Sequence, residues 1–61
     1  MTEMQLRRIA EAQAAYMKTQ MEHTPENWDT YEALVLDVAS VLQIDVREAY
    51  EIVENGPVVF I

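Results

Sequence analysis

The chain has 61 residues, with no cysteine, one glycine and two prolines; 51% are hydrophobic and 25% charged. Such a composition describes one small globular domain, and it excludes both a disulfide-stapled scaffold and a wholly disordered segment. A domain this short is marginally stable by itself, so association with another chain is a natural source of further stability.

The formal net charge of −7 is unevenly distributed. Residues 1–23 hold Glu3, Glu11 and Glu22 against Arg7, Arg8 and Lys18, and are neutral in sum. Residues 24–61 hold Glu26, Asp29, Glu32, Asp37, Asp45, Glu48, Glu51 and Glu54 against Arg47 alone. A field of that sign repels nucleic acid and anionic membrane and attracts basic protein surfaces; it also keeps a small domain in solution. No segment approaches the roughly 20 apolar residues of a membrane span. Met1-Thr2-Glu3-Met4 lacks the apolar core of a secretory signal, so the expected location is the cytoplasm.

The first predicted helix covers about residues 3–23. Thr2 caps it, Gln5 completes a capping box, and no Gly or Pro interrupts the run. Leu6, Ile9, Ala10, Ala14, Tyr16, Met17 and Met21 fall in one arc of roughly 160°, which is the expected buried face. Gln13 and Gln20 lie inside that arc. Two i,i+4 ion pairs, Glu3–Arg7 and Lys18–Glu22, are expected outside it.

Thr24-Pro25-Glu26 opens a second helix, expected over 25–42: a hydroxyl cap, a proline in the first turn, then an acid near the positive end. Trp28, Tyr31, Leu34, Val35, Val38, Ala39, Val41 and Leu42 give it the most apolar face of the three, so it should be the central element. Leu36 projects elsewhere, beside Ala33 and Asp37. Gln43-Ile44 makes a short connection, and Asp45 caps a third helix over about 46–54, with Glu48 at the capping-box position. Asn55-Gly56-Pro57 ends that helix, the glycine being expected in a left-handed conformation. The apolar tail Val58-Val59-Phe60-Ile61 is expected to be extended. It either folds back over the corner of the second and third helices or pairs with another chain.

Little here points to chemistry. His23 is the sole histidine, no nucleophile-elbow spacing occurs, and one glycine cannot build a phosphate loop. Glu22, His23 and Glu26 are too few and too loosely spaced for a metal set. The acids are spread as solvated groups rather than paired for proton transfer. The expectation is a protein that is not an enzyme and takes no cofactor or metal.

The segment Val35–Glu54 resembles a helix-turn-helix unit, with Val38, Ala39, Leu42, Ile44, Ala49 and Ile52 at its apolar and small positions and Gln43 where the turn usually has Gly. The resemblance implies a DNA-binding regulator with Arg7 and Arg8 on a flanking helix. Asp45, Glu48, Glu51 and Glu54 on the would-be recognition helix oppose that reading, because phosphate contacts supply much of the affinity for DNA.

The residues therefore predict an all-α, three-helix domain with an extended apolar tail, acting by binding a protein with a basic surface, and neither nucleic acid nor membrane. Leu36, Asp37, Glu48, Glu51 and Glu54 are the expected partner-binding face, with Tyr50 a further apolar point. A stoichiometric inhibitor or adaptor of a nucleic-acid-handling protein fits this best, in the extreme with carboxylates standing where phosphates would. A homodimer is expected through Gln13, Met17, Gln20, Phe60 and Ile61, where alanines allow close approach, methionines adapt and amides fix register. Taken alone, that second surface would suit a structural subunit of a homo-oligomeric assembly.

Overall fold

A computed structural model describes residues 1–59. The chain is all-α: α1 (Glu3–Met21), α2 (Pro25–Leu42) and α3 (Val46–Asn55), with no strand among the described residues. Its radius of gyration is 10.6 Å, against about 10.5 Å for a folded domain of this length. One chain therefore closes on itself.

The helix starts follow from their capping groups. Thr2 Oγ1 accepts from the Gln5 backbone N–H at 3.2 Å, and Gln5 Oε1 accepts from the Thr2 N–H at 2.9 Å, so the expected capping box forms. Thr24 Oγ1 accepts from the Asn27 N–H. Asp45 Oδ1 accepts from the Arg47 N–H at 3.2 Å, and Glu48 contributes its charge to the first turn. The first helix ends at Met21, two residues short of the expected His23. Glu22 turns out as its cap, its carbonyl accepts from Asn27 Nδ2 at 2.9 Å, and the His23 ring stacks on Trp28 at 6.5 Å. Those contacts repay the lost helical turn.

The central helix is α2, as its apolar content implies: Tyr31, Val35, Val38 and Ala39 are buried, and they pack with Ile9 and Ala12 of α1 and Ala49 and Val53 of α3. Tyr31 is 1% exposed and sits amid Tyr16, Trp28 and Tyr50, with ring centroids at 5.3, 5.8 and 5.8 Å. Trp28 keeps a partly exposed edge.

The buried face of α1 differs from the expected one. Ile9, Ala12, Gln13 and Thr19 are buried, Tyr16 packs against the core, and Leu6, Ala14, Met17 and Met21 are exposed. At 3.6 residues per turn the inward face has rotated by roughly 80°. Two facts explain the rotation. Ala12 and Thr19 are small enough for α1 to lie close to α2, and the polar groups that enter are satisfied. Thr19 Oγ1 donates to the Tyr16 carbonyl at 2.6 Å. Gln13 Nε2 donates to the Pro57 carbonyl at 2.8 Å, and Gln13 Oε1 accepts from the Val59 N–H at 2.9 Å. No buried side-chain nitrogen or oxygen among the described residues lacks a partner.

Residues 57–59 accordingly lie against Gln13 of α1, held by the two bonds of one amide. Gln13, expected at a contact between chains, is used inside its own. Phe60 and Ile61, also assigned to self-association, lie outside the described residues.

Two turn positions depart from their expected conformations. Gln43 ends α2 with φ 56° and ψ 48°, a left-handed conformation usually given to Gly. Gly56 is not left-handed: its φ is −80° and ψ 176°. Glycine is needed there because a Cβ would overlap the Ile52 carbonyl oxygen. Gln43→Gly should therefore stabilise the fold by about 0.5–1 kcal/mol by removing the strain of a side chain in that region. Gly56→Ala should cost about 1–3 kcal/mol by forcing the last turn of α3 apart. Urea denaturation of both variants checks the pair, and a Gly56→Ala protein as stable as the parent would contradict the assigned role of Gly56.

Candidate interaction surface

The acids of residues 24–59 stand on the outer faces of α2 and α3. Glu26, Asp29, Glu32, Asp37, Asp45, Glu48, Glu51 and Glu54 are all exposed. The ion pairs among the described residues both lie within α1: Arg7–Glu3 at 3.4 Å and Arg8–Glu11 at 3.0 Å. Among the described residues none of the eight acids on or next to α2 and α3 has a cationic partner, and Arg47 makes no ion pair. The negative surface of this half of the protein is uncompensated.

The structure divides the expected face into two parts. On α2, Leu36 is 55% exposed, with Glu32 and Asp29 one and two turns before it and Asp37 beside it. On α3, Glu48 and Glu51 are exposed one turn apart, toward solvent and away from the buried Ala49 and Val53. Glu32 of α2 and Glu54 of α3 both act on Tyr50, whose pKa their negative charges raise after the larger effect of its burial. Asp37 stands about 7.5 Å of helix rise further along α2, nearer the turn. Glu32 was absent from the expected face, although its place one turn before Leu36 is visible in the helical spacing.

Glu54 has a second task. Its carboxylate accepts a hydrogen bond from the Tyr31 hydroxyl, which links the buried ring to the α3 surface. Burial is the main reason the Tyr31 phenol resists ionisation; the hydrogen bond to Glu54 and that residue's negative charge add to it. Of the five partner-facing residues expected, Glu54 is thus tied to the core, while Leu36, Asp37, Glu48 and Glu51 make no side-chain hydrogen bond or ion pair among the described residues.

Met17 and Gln20, assigned to self-association, are exposed on α1. No group of three metal-ligating side chains occurs among the described residues, and no helix is long and apolar enough to cross a membrane. Comparison of the chain with protein-family models, with curated proteins and with solved structures finds no match.

The buried phenol implies an alkaline limit to stability. An unfolded tyrosine loses its proton near pH 10, whereas folded Tyr31 holds its proton to higher pH. The folded state then binds more protons than the unfolded one, so stability is complete below about pH 10 and declines above it. Tyr50 is shifted in the same direction. Tyr31→Phe should cost about 1–2 kcal/mol at neutral pH, through the lost bond to a charged acceptor, and should flatten the alkaline decline. Denaturant titrations from neutral pH to about pH 11 measure both effects; an undiminished decline in the variant would mean that other groups cause it.

Proposed function

We propose that this protein is a small acidic interaction module that binds a basic surface of another protein through α2 and α3. The observation that carries the reading is the uncompensated set of exposed carboxylates on these two helices, next to the partly apolar points Leu36 and Tyr50. Charges of one sign over such a surface steer a complementary partner and raise its association rate, and an apolar point within them supplies contact area once the partner has docked.

A nucleic-acid-handling protein is the partner class that suits this best, since its working surface is already built to receive closely spaced negative charge. Binding there would exclude nucleic acid, making the module a stoichiometric inhibitor or adaptor of cytoplasmic location rather than an enzyme. Leu36, Asp37, Glu48 and Glu51 form the docking face. Glu54 contributes charge to it while anchoring Tyr31. The helix-turn-helix-like pair does not favour DNA itself, because Glu48 and Glu51 on α3 would meet phosphate.

The test compares the wild-type chain with Glu48→Lys/Glu51→Lys, a substitution on the solvent side of α3 that should leave the helical circular dichroism unchanged. The wild type should retain a basic host protein at low salt, release it at high salt, and compete with nucleic acid for it. The folded double variant should associate at least tenfold more slowly, since charge at a rim acts chiefly on the association rate. Equal binding by the variant would reassign these carboxylates to solvation.

A further inference from the structure

The rotation of α1 leaves an apolar row outside the fold. Leu6, Met17 and Met21 are 41%, 51% and 82% exposed, and Ala10 and Ala14 fill the intervening turns. Their three- and four-residue spacing puts all five on one side of the helix. Gln13, one turn before Met17, also holds the chain on either side of Val58, which is 70% exposed.

The charges beside the row identify what covers it. Arg7 and Glu22 are related through the point midway between Ala14 and Ala15, and so are Glu11 and Lys18, each pair with opposite signs. A second α1 laid antiparallel across that point sets Lys18 against Glu11 of the partner subunit, and Arg7 against Glu22 of the partner subunit. In a parallel pair this charged flank would face the other, uncharged flank of the partner, so the ion pairs form only in the antiparallel arrangement. Lys18 and Glu22 have no ion-pair partner within the chain among the described residues, so both are available. Residues 1–23 are also neutral in sum, while the remainder carries the whole −7. Two copies that meet through this helix therefore avoid the like-charge repulsion that the acidic remainder would impose.

We infer that α1 is a self-association face, on which two copies pair antiparallel about the Ala14–Ala15 midpoint. The proposal does not depend on the acidic-face reading, which concerns the other two helices. Alanines at the centre allow the helices to approach closely, and the methionines toward the ends adapt to each other. The surface ion pairs contribute little affinity and set direction. A 19-residue helix is about 28 Å long, so the contact falls at the small end of specific interfaces and the dimer is concentration-dependent.

The experiment uses the full chain. Sedimentation equilibrium from micromolar to millimolar protein should show a mass rising from 7.1 kDa toward twice that value. Met17→Glu/Met21→Glu should keep its helical content and stay monomeric. Glu11→Lys or Lys18→Glu alone should weaken association several-fold, and the two together should restore it. The chain has no cysteine of its own, so single thiols report direction. Ala14→Cys should oxidise readily to a covalent dimer. Met21→Cys should not do so by itself, but should cross-link to Leu6→Cys on mixing. A chain that remains monomeric throughout, a dimer that survives Met17→Glu/Met21→Glu, or Met21→Cys cross-linking as fast as Ala14→Cys would each overturn the proposal.

Discussion

The placement of Tyr31 governs this fold. One side chain on the middle helix fills the space where three helices meet, and three other rings pack around it. A buried phenol brings a condition with it, because the hydroxyl must find an acceptor or cost more than the ring contributes. The condition is met from α3, whose Glu54 accepts a hydrogen bond from the Tyr31 hydroxyl while the residue itself remains at the surface. A core residue on α2, a ring on α1 and an acid on α3 are thereby linked in one arrangement. The α2–α3 turn keeps its left-handed Gln43, a local cost the packing of the two helices sustains.

The same condition recurs on α1 and decides which side of that helix faces in. Gln13 and Thr19 are 3% and 0% exposed, and each is satisfied: the hydroxyl within its own helix, the amide by the backbone on both sides of Val58. Gln13 acts as a short piece of neighbouring backbone, offering one donor and one acceptor to a tail segment that has no ladder. A polar side chain so used costs little to bury, and it ties residues 57–59 to the first helix.

Legibility from sequence follows from this. Helix number, order and starting points rest on local chemistry, such as Thr2 with Gln5 or Thr24 with Pro25, and these were readable. The central place of α2 was readable too, since its apolar face is broad and uninterrupted. The inward face of α1 was not. Two partly apolar faces compete on that helix, and the choice between them depends on the close approach of α2 and on a tail 44 residues away from Gln13. Gly56 was correctly placed at a helix end for a reason that spacing does not carry: its closeness to the Ile52 carbonyl, with no left-handed turn. On the acidic face, Leu36, Asp37, Glu48 and Glu51 could be read as outward from helical spacing. The double role of Glu54 could not, because it depends on the distance between two helices.

These choices leave the molecule with two unlike surfaces. The inward face of α1 takes in Ala12 and Thr19 and keeps Gln13, while the methionines stay outside, so the fold holds the tail residues 57–59 and exposes the apolar row. The cations meanwhile sit almost entirely on α1, where Arg7 and Arg8 pair with acids of the same helix, and Arg47 alone stands against the eight acids of residues 24–61. The excess negative charge therefore lies on α2 and α3, and the exposed apolar row on α1. One side is built to attract what is basic. The other, neutral in sum, is where a second surface can approach without electrostatic opposition.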